Sequence, residues 1–245
     1  MWSAGSEGAQ VYLGLNAVGV RGHDASGCAH WLPASSPIDG WKQAAELLAT
    51  AGRRRAAVSL TGALMRPFCF NAVPGLQRWR EAAHVAASLA PEATGLVGTC
   101  GIWLGDWSPQ ATSLAVAIEQ SLRQSIEATA KQHRIRLTAL RPWWAHALAT
   151  AANREAGAPR LLAVEDTDAL TLLCGDEGLF TAASSYAPLP DPKSARALIN
   201  RAMLGSNVPT AQAMHATMFE PRPLNAGALE STQENDFGVR LELIE

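Results

Sequence analysis

The sequence predicts an α/β protein of two lobes, with mixed β-sheets flanked by helices and the second lobe reduced. Three observations lead there. Residues 10–32 read as three short strands, followed by a helix over 39–51. The chain then runs strand, strand, helix, strand, helix up to residue 155. Near residue 160 a second three-strand run, Arg160 to Ser184, starts the pattern again. A chain of 245 residues, 48% of them hydrophobic, can bury a sizeable core as two lobes of roughly 100 to 150 residues. The expected boundaries are 10–155 for the first lobe, with a small subdomain over 62–108, and 156–245 for the second.

Each element has its own signal. Val11-Tyr12-Leu13-Gly14-Leu15 is a nearly continuous apolar run, as in a strand buried on both faces. Val18 to His23 and Cys28 to Leu32 follow as strands separated by Gly and Asp turn residues. Asp39-Gly40 opens a helix with Trp41, Ala44, Ala45, Leu47 and Leu48 at helical spacing, and Gly52 closes it. Ala56 to Leu60 is a buried strand, Thr61-Gly62 a turn, and Leu64 to Val73 a strand ended by Pro74-Gly75. A helix over Leu76 to Leu89 and a short strand over Gly101 to Leu104 come next.

From Gln110 to His133 the sequence predicts one long helix. Leu114, Ile118, Leu122, Ile126 and Ala130 recur every four residues against a polar face of Glu119, Gln120, Arg123, Gln124 and Glu127. Arg136 to Leu140 is a strand, and Pro142 starts a helix at Trp143-Trp144. Adjacent tryptophans point about 100° apart on a helix, so one of them is a candidate for exposure to a partner. In the second lobe Leu161 to Glu165, Ala169 to Cys174 and Leu179 to Ser184 are strands. Asp191-Pro192 opens a helix over Lys193 to Leu204, and Pro209 to Met218 reads as one more. Residues 220–236, rich in Pro, Asn, Gly, Ser and Thr, read as a loose loop. Phe237, Val239, Leu241 and Leu243 alternate with polar residues, which predicts a half-buried terminal strand.

Charge and composition remove several function classes. The net charge is -2 and the only basic run is Arg53-Arg54-Arg55. A nucleic-acid surface needs clustered Lys and Arg, so none is expected. No basic segment leads into an apolar core near the start, and no apolar stretch reaches the ~20 residues of a membrane helix. A cytoplasmic protein without direct membrane insertion is expected. Cys28, Cys69, Cys100 and Cys174 are far apart and form no CxxC pair, so they read as buried core residues rather than zinc ligands or disulfides. The six histidines show no HxxxH or HExxH spacing. No GxSxG, GxxxxGK[ST] or GxGxxG motif occurs, so no enzyme is expected.

Two segments carry a family resemblance. The run Val58-Ser59-Leu60-Thr61-Gly62-Ala63-Leu64-Met65-Arg66-Pro67-Phe68 continues to Val73-Pro74-Gly75 and a helix with Trp79-Arg80-Glu81. The second stretch is Arg134-Ile135-Arg136-Leu137-Thr138-Ala139-Leu140-Arg141-Pro142-Trp143-Trp144. Together with the repeated β-β-β order, they resemble the actin-like (ribonuclease H-like) cytoplasmic proteins of type IV pilus assembly, the PilM type, and of type II secretion, the GspL cytoplasmic domain. The resemblance runs over most of residues 10–185. It implies a two-lobed actin-like fold and a cytoplasmic scaffold, held at the inner membrane by the cytoplasmic peptide of an assembly protein and in reach of the assembly ATPase.

The resemblance also sets expectations for single residues. Actin-like ATPases place a carboxylate at the end of the first strand and a Gly/Ser/Thr loop after it, whose backbone amides hold phosphate. Here Asn16 stands where Asp is expected, and Ala17-Val18-Gly19-Val20 follows without a hydroxyl. The matching stretch of the second lobe, Glu165-Asp166-Thr167-Asp168, lacks glycine. No cofactor and no metal is therefore expected; Asp166 and Asp168 read as turn and capping residues, with a divalent cation as the sharper alternative. The competing reading of the whole chain is an actin-like nucleotide-binding ATPase. For the partner peptide the resemblance points to a groove of the first lobe with Arg66, Phe68, Phe70, Trp79 and Arg80 as candidates. Phe68 and Phe70 read first as core residues, so Arg66, Trp79 and Arg80 carry that expectation.

Overall fold

The computed structural model describes residues 8–22, 29–71, 75, 78–105, 107, 111–154, 160–176, 179–218 and 239–244. The segment 220–236 expected as a loop lies outside them, as do His23, Cys28, Val73, Leu76, Phe237 and Gly238. Contacts divide the chain into two units, residues 1–60 with 121–141 and residues 61–120 with 142–245.

In the first unit, strand β1 (Ala9–Leu13) pairs antiparallel with β2 (Ala17–Arg21) and parallel with β4 (Arg55–Leu60). Strand β3 (Ala29–Pro33) extends the sheet beyond β2, and β8 (Arg136–Pro142) beyond β4, giving the order β3-β2-β1-β4-β8. Val11, Tyr12 and Leu13 are fully buried, as the continuous apolar run predicts. Helix α1 (Pro37–Thr50) starts two residues before the expected Asp39, because Ser36 caps it by accepting from Asp39 N at 3.2 Å. It ends where Gly52 takes φ +69, a left-handed conformation that glycine adopts without a Cβ penalty. The buried face of α1, Trp41, Ala44, Ala45 and Leu48, meets β1 and β2. Trp41 Nε1 donates to the Ile126 carbonyl at 3.0 Å, which ties α1 to helix α3 (Gln120–Gln132).

The long helix expected over 110–133 is two elements. Residues Ser113–Glu119 form strand β7, and only α3 is helical. A four-residue apolar spacing fits a strand face as well as a helix stripe, so Leu114 and Ile118 do not decide between the two periods. The polar face does, since all of its members lie at 119 or beyond, while 114–118 is apolar without a break.

In the second unit β7 is the middle of a three-stranded antiparallel sheet, between β5 (Met65–Phe70) and β6 (Cys100–Leu104). Helix α2 (Trp79–Thr94) covers it, packing Ala82, Ala86 and Ala90 on Phe68, Phe70, Ala115 and Ala117. A five-stranded sheet follows, with β9 (Leu161–Glu165), β10 (Leu170–Asp176), β11 (Leu179–Tyr186), β12 (Ala213–Met218) and β13 (Val239–Leu243) in the order β11-β10-β9-β12-β13. Helix α4 (Trp143–Arg154) packs on β9 and β13, and α5 (Pro192–Gly205) on β9 and β10. The first four strands repeat the order and senses of the first sheet. In both, the opening strand is antiparallel to the second and parallel to the strand that returns after a helix.

Two further expectations change. Residues 213–218 form β12 rather than a helix, with only a 3-10 turn at Thr210–Gln212 before it. The gap between β9 and β13 requires an extended partner, and β12 pairs with both. Trp143 and Trp144 are both buried, at 1% and 2% exposure, so neither faces a partner. Trp144 Nε1 donates to the Met65 carbonyl at 3.2 Å, which gives that ring a direction of its own.

Candidate functional site

The turn after β1 is short. Leu13 and Val18 are paired, and Gly14 N donates to the Ala17 carbonyl at 2.9 Å, so only Gly14, Leu15 and Asn16 separate the strands. Asn16 is exposed, and its carbonyl accepts from Ala34 N at 2.9 Å. A turn this tight has no concave run of free amides with which to hold a phosphate.

The turn after β9 occupies the corresponding place in the repeat, with the same length and the matching backbone hydrogen bond from Asp166 N to the Ala169 carbonyl at 3.0 Å, and a side chain is added to it. Asp166 is buried at 3% exposure. Its Oδ1 accepts from Asp168 N and from Ala169 N, each at 2.9 Å, and its Oδ2 accepts from Gly62 N at 2.7 Å. Three backbone N–H groups that could face a ligand face this carboxylate instead. Burial raises its pKa to about 6, even though the three N–H donors act to lower it. Gly62 is there because nothing larger fits, since a Cβ would lie 2.3 Å from Thr171 Oγ1. Thr171 is held in turn by a 2.7 Å hydrogen bond with Ser185. Asp166 is thus a turn residue, as read, and also an anchor for the Thr61-Gly62 turn. That second role joins residues 104 positions apart, and no local pattern could reveal it.

Among the described residues no group of three or more His, Cys, Asp or Glu side chains is placed to hold a metal. Cys69, Cys100 and Cys174 are free thiols. Burial pushes Cys69 up to about 12 and raises the other two, so none is a poised nucleophile. A cleft of about 680 Å³ beside α5 brings His215 of β12 within 3.2 Å of a Glu165 carboxylate oxygen, with Arg196 and Glu242 on its walls. These residues come from separate strands and a helix, so their spacing in sequence carries no signal.

The five candidates for partner binding fall into two places. Arg66, Phe68 and Phe70 share the face of β5 beneath α2. Phe68 and Phe70 are core residues at 2% and 5% exposure. Arg66 is half-buried and donates through Nη1 to the Thr94 carbonyl at 2.7 Å and through Nε to the Ala63 carbonyl at 3.0 Å. It satisfies a carbonyl at the C-terminal end of α2, where a cation is favoured by the helix dipole. Trp79 and Arg80 stand at the other end of that helix, about 22 Å away at 1.5 Å per residue. Both are exposed, Trp79 at 52%. Trp107 is partly buried against the α2 core.

No family model matches the sequence, and no curated protein is similar to it in sequence. Solved structures are similar in fold. The PilM–PilN type IV pilus biogenesis complex matches at 12% identity over 83% of this chain and 67% of that one, with a TM-score of 0.52. A Bacteroides thetaiotaomicron protein described as having an actin-like ATPase fold and unknown function matches at 9% identity over 84% and 79%, with a TM-score of 0.54. The cytoplasmic domain of EpsL, an inner-membrane component of the type II secretion system of Vibrio cholerae, matches at 12% identity over 73% and 70%, with a TM-score of 0.44. Among the described residues no helix is long and apolar enough to cross a membrane. The repeated strand order and the likenesses to the PilM–PilN complex and to the Bacteroides thetaiotaomicron protein together give the conclusion that the chain has the actin-like ATPase fold.

Proposed function

We propose that the chain is a non-catalytic cytoplasmic scaffold of a type IV pilus or type II secretion assembly platform, peripheral to the inner membrane. It holds the cytoplasmic peptide of a membrane partner and contacts the assembly ATPase. The observation that carries this reading is the Asp166 turn, whose carboxylate takes up the backbone donors of Gly62, Asp168 and Ala169. A phosphate there would meet a buried carboxylate rather than free amides. The short Gly14–Asn16 turn supports the same reading.

Mg-ATP is accordingly expected to leave the melting temperature unchanged. A site filled at 100 times its dissociation constant would stabilise the fold by about 2.7 kcal/mol, which a thermal-shift titration detects readily. A saturable shift, with hydrolysis lost on Asn16→Ala, would overturn the scaffold reading in favour of an ATPase.

The peptide-binding residues we assign are Trp79 and Arg80. An exposed aromatic plane and a cation at the N-terminal end of α2 suit an acidic segment or a terminal carboxylate. Titrating the full chain with cytoplasmic peptides of inner-membrane assembly proteins is expected to show affinity at least about tenfold weaker for Trp79→Ala combined with Arg80→Ala. Arg66→Ala is expected to act on stability, through the Thr94 carbonyl it leaves unmet. Undiminished binding by the folded double variant would place the peptide elsewhere.

A further inference from the structure

Strand β13 ends its sheet, and among the described residues no strand pairs with its outer edge. The other outer strand, β11, packs against β5 and β7. The pairing of β13 with β12 determines which backbone groups face outward. Ile244 N donates to the Ala213 carbonyl at 3.1 Å, so Glu242 and Arg240, in step with it, also turn their N–H and C=O toward β12. Val239, Leu241 and Leu243 turn theirs away.

We propose that this edge pairs antiparallel with β13 of a second copy of the chain, about a two-fold axis at Leu241. In that register Leu241 faces its own copy and Val239 faces Leu243, so every outward N–H and C=O finds a partner. The same register sets Arg240 opposite Glu242, twice, at the non-hydrogen-bonded positions where side chains lie closest. A two-fold at Arg240 or at Glu242 also matches backbone donors to acceptors, but it places like charges opposite each other and makes fewer hydrogen bonds. Charges on a strand edge ordinarily repel another edge; here their order attracts in one register and repels in its neighbours. Arg240 and Glu242 already form an ion pair within the strand, with side chains 62% and 51% exposed. Pairing two copies therefore sets each carboxylate between two guanidinium groups. The interface is isologous, as a two-fold requires, and it works by strand addition.

The test is sedimentation of the full chain from about 1 μM to about 1 mM, the range in which small interfaces dissociate. The wild type is expected to rise from 25.9 kDa toward twice that mass. Arg240→Glu alone and Glu242→Arg alone each set like charges opposite and are expected to weaken association at least about tenfold. The two single variants mixed together are expected to associate with each other, and the double variant Arg240→Glu with Glu242→Arg to associate with itself. Rescue of this kind is not available to a misfolded chain. A wild type that stays monomeric throughout, or single variants that associate as it does, overturns the proposal.

Discussion

Replacing Asp166 with alanine is expected to lower the unfolding free energy at pH 7 by about 3 kcal/mol, because three backbone N–H groups lose their acceptor in a buried place. The loss stays at the low end for three such groups, since the variant also removes a charge that burial disfavours. Denaturant titration measures it; a change under about 1 kcal/mol would mean that the turn does not depend on the carboxylate. The pH dependence gives an independent reading. Burial lifts the carboxyl to about 6 in the folded chain from the ordinary aspartate value of 3.8, so between those values the folded state holds the extra proton. This group therefore makes stability fall as pH rises from about 4 to about 6, by an amount on the order of 3 kcal/mol. Asp166→Asn keeps the shape and lacks that slope, so the difference between its profile and the wild type's isolates the group.

Trp41→Ala is expected to cost about 3 to 5 kcal/mol, the range for emptying a fully buried aromatic site. Against a typical total of about 5 to 15 kcal/mol, that brings the first unit close to unfolding. Trp41→Phe refills much of the volume but leaves the Ile126 carbonyl without its donor, so a smaller loss of about 1 to 2 kcal/mol is expected. The two variants together separate packing from hydrogen bonding. Equal denaturation midpoints for Trp41→Ala and the wild type would show that α1 is not held through this side chain.

What could be read along the chain was whatever its neighbours in sequence determine. Val11 to Leu13 and Leu161 to Val164 are continuous apolar runs, and both lie in central strands. Asp191-Pro192 marks the start of α5 because an N-cap side chain and a first-turn proline act locally. Residues 113–119 and 213–218 are extended for a reason that local periodicity does not contain, since each is required by strands from elsewhere in its sheet. The same limit governs the site. The hydrogen bond from Gly62 to Asp166 and the one from Arg66 to Thr94 join distant positions, and each changes the role of a residue already singled out. Phe68 and Phe70 were readable as core residues because burial follows from type; the distance from Arg66 to Trp79 follows from the length of α2.

The repeated strand order has a consequence for how this fold could change. The hairpin that opens each sheet is closed by the same backbone hydrogen bond, Gly14 N to the Ala17 carbonyl and Asp166 N to the Ala169 carbonyl, and only the second adds an interior carboxylate, that of Asp166. Engineering a phosphate cradle into the chain would thus ask more of the second hairpin than of the first. Both hairpins, with four residues each between the pairs Leu13–Val18 and Glu165–Leu170, would have to be lengthened, and the second would also need a new internal acceptor for Gly62 before its amides could be released. Neither step is a single substitution, and each lowers stability before any ligand can return it. Two copies of one motif, alike in their backbone closure, thus differ in the one side chain that ties the second to the Thr61-Gly62 turn.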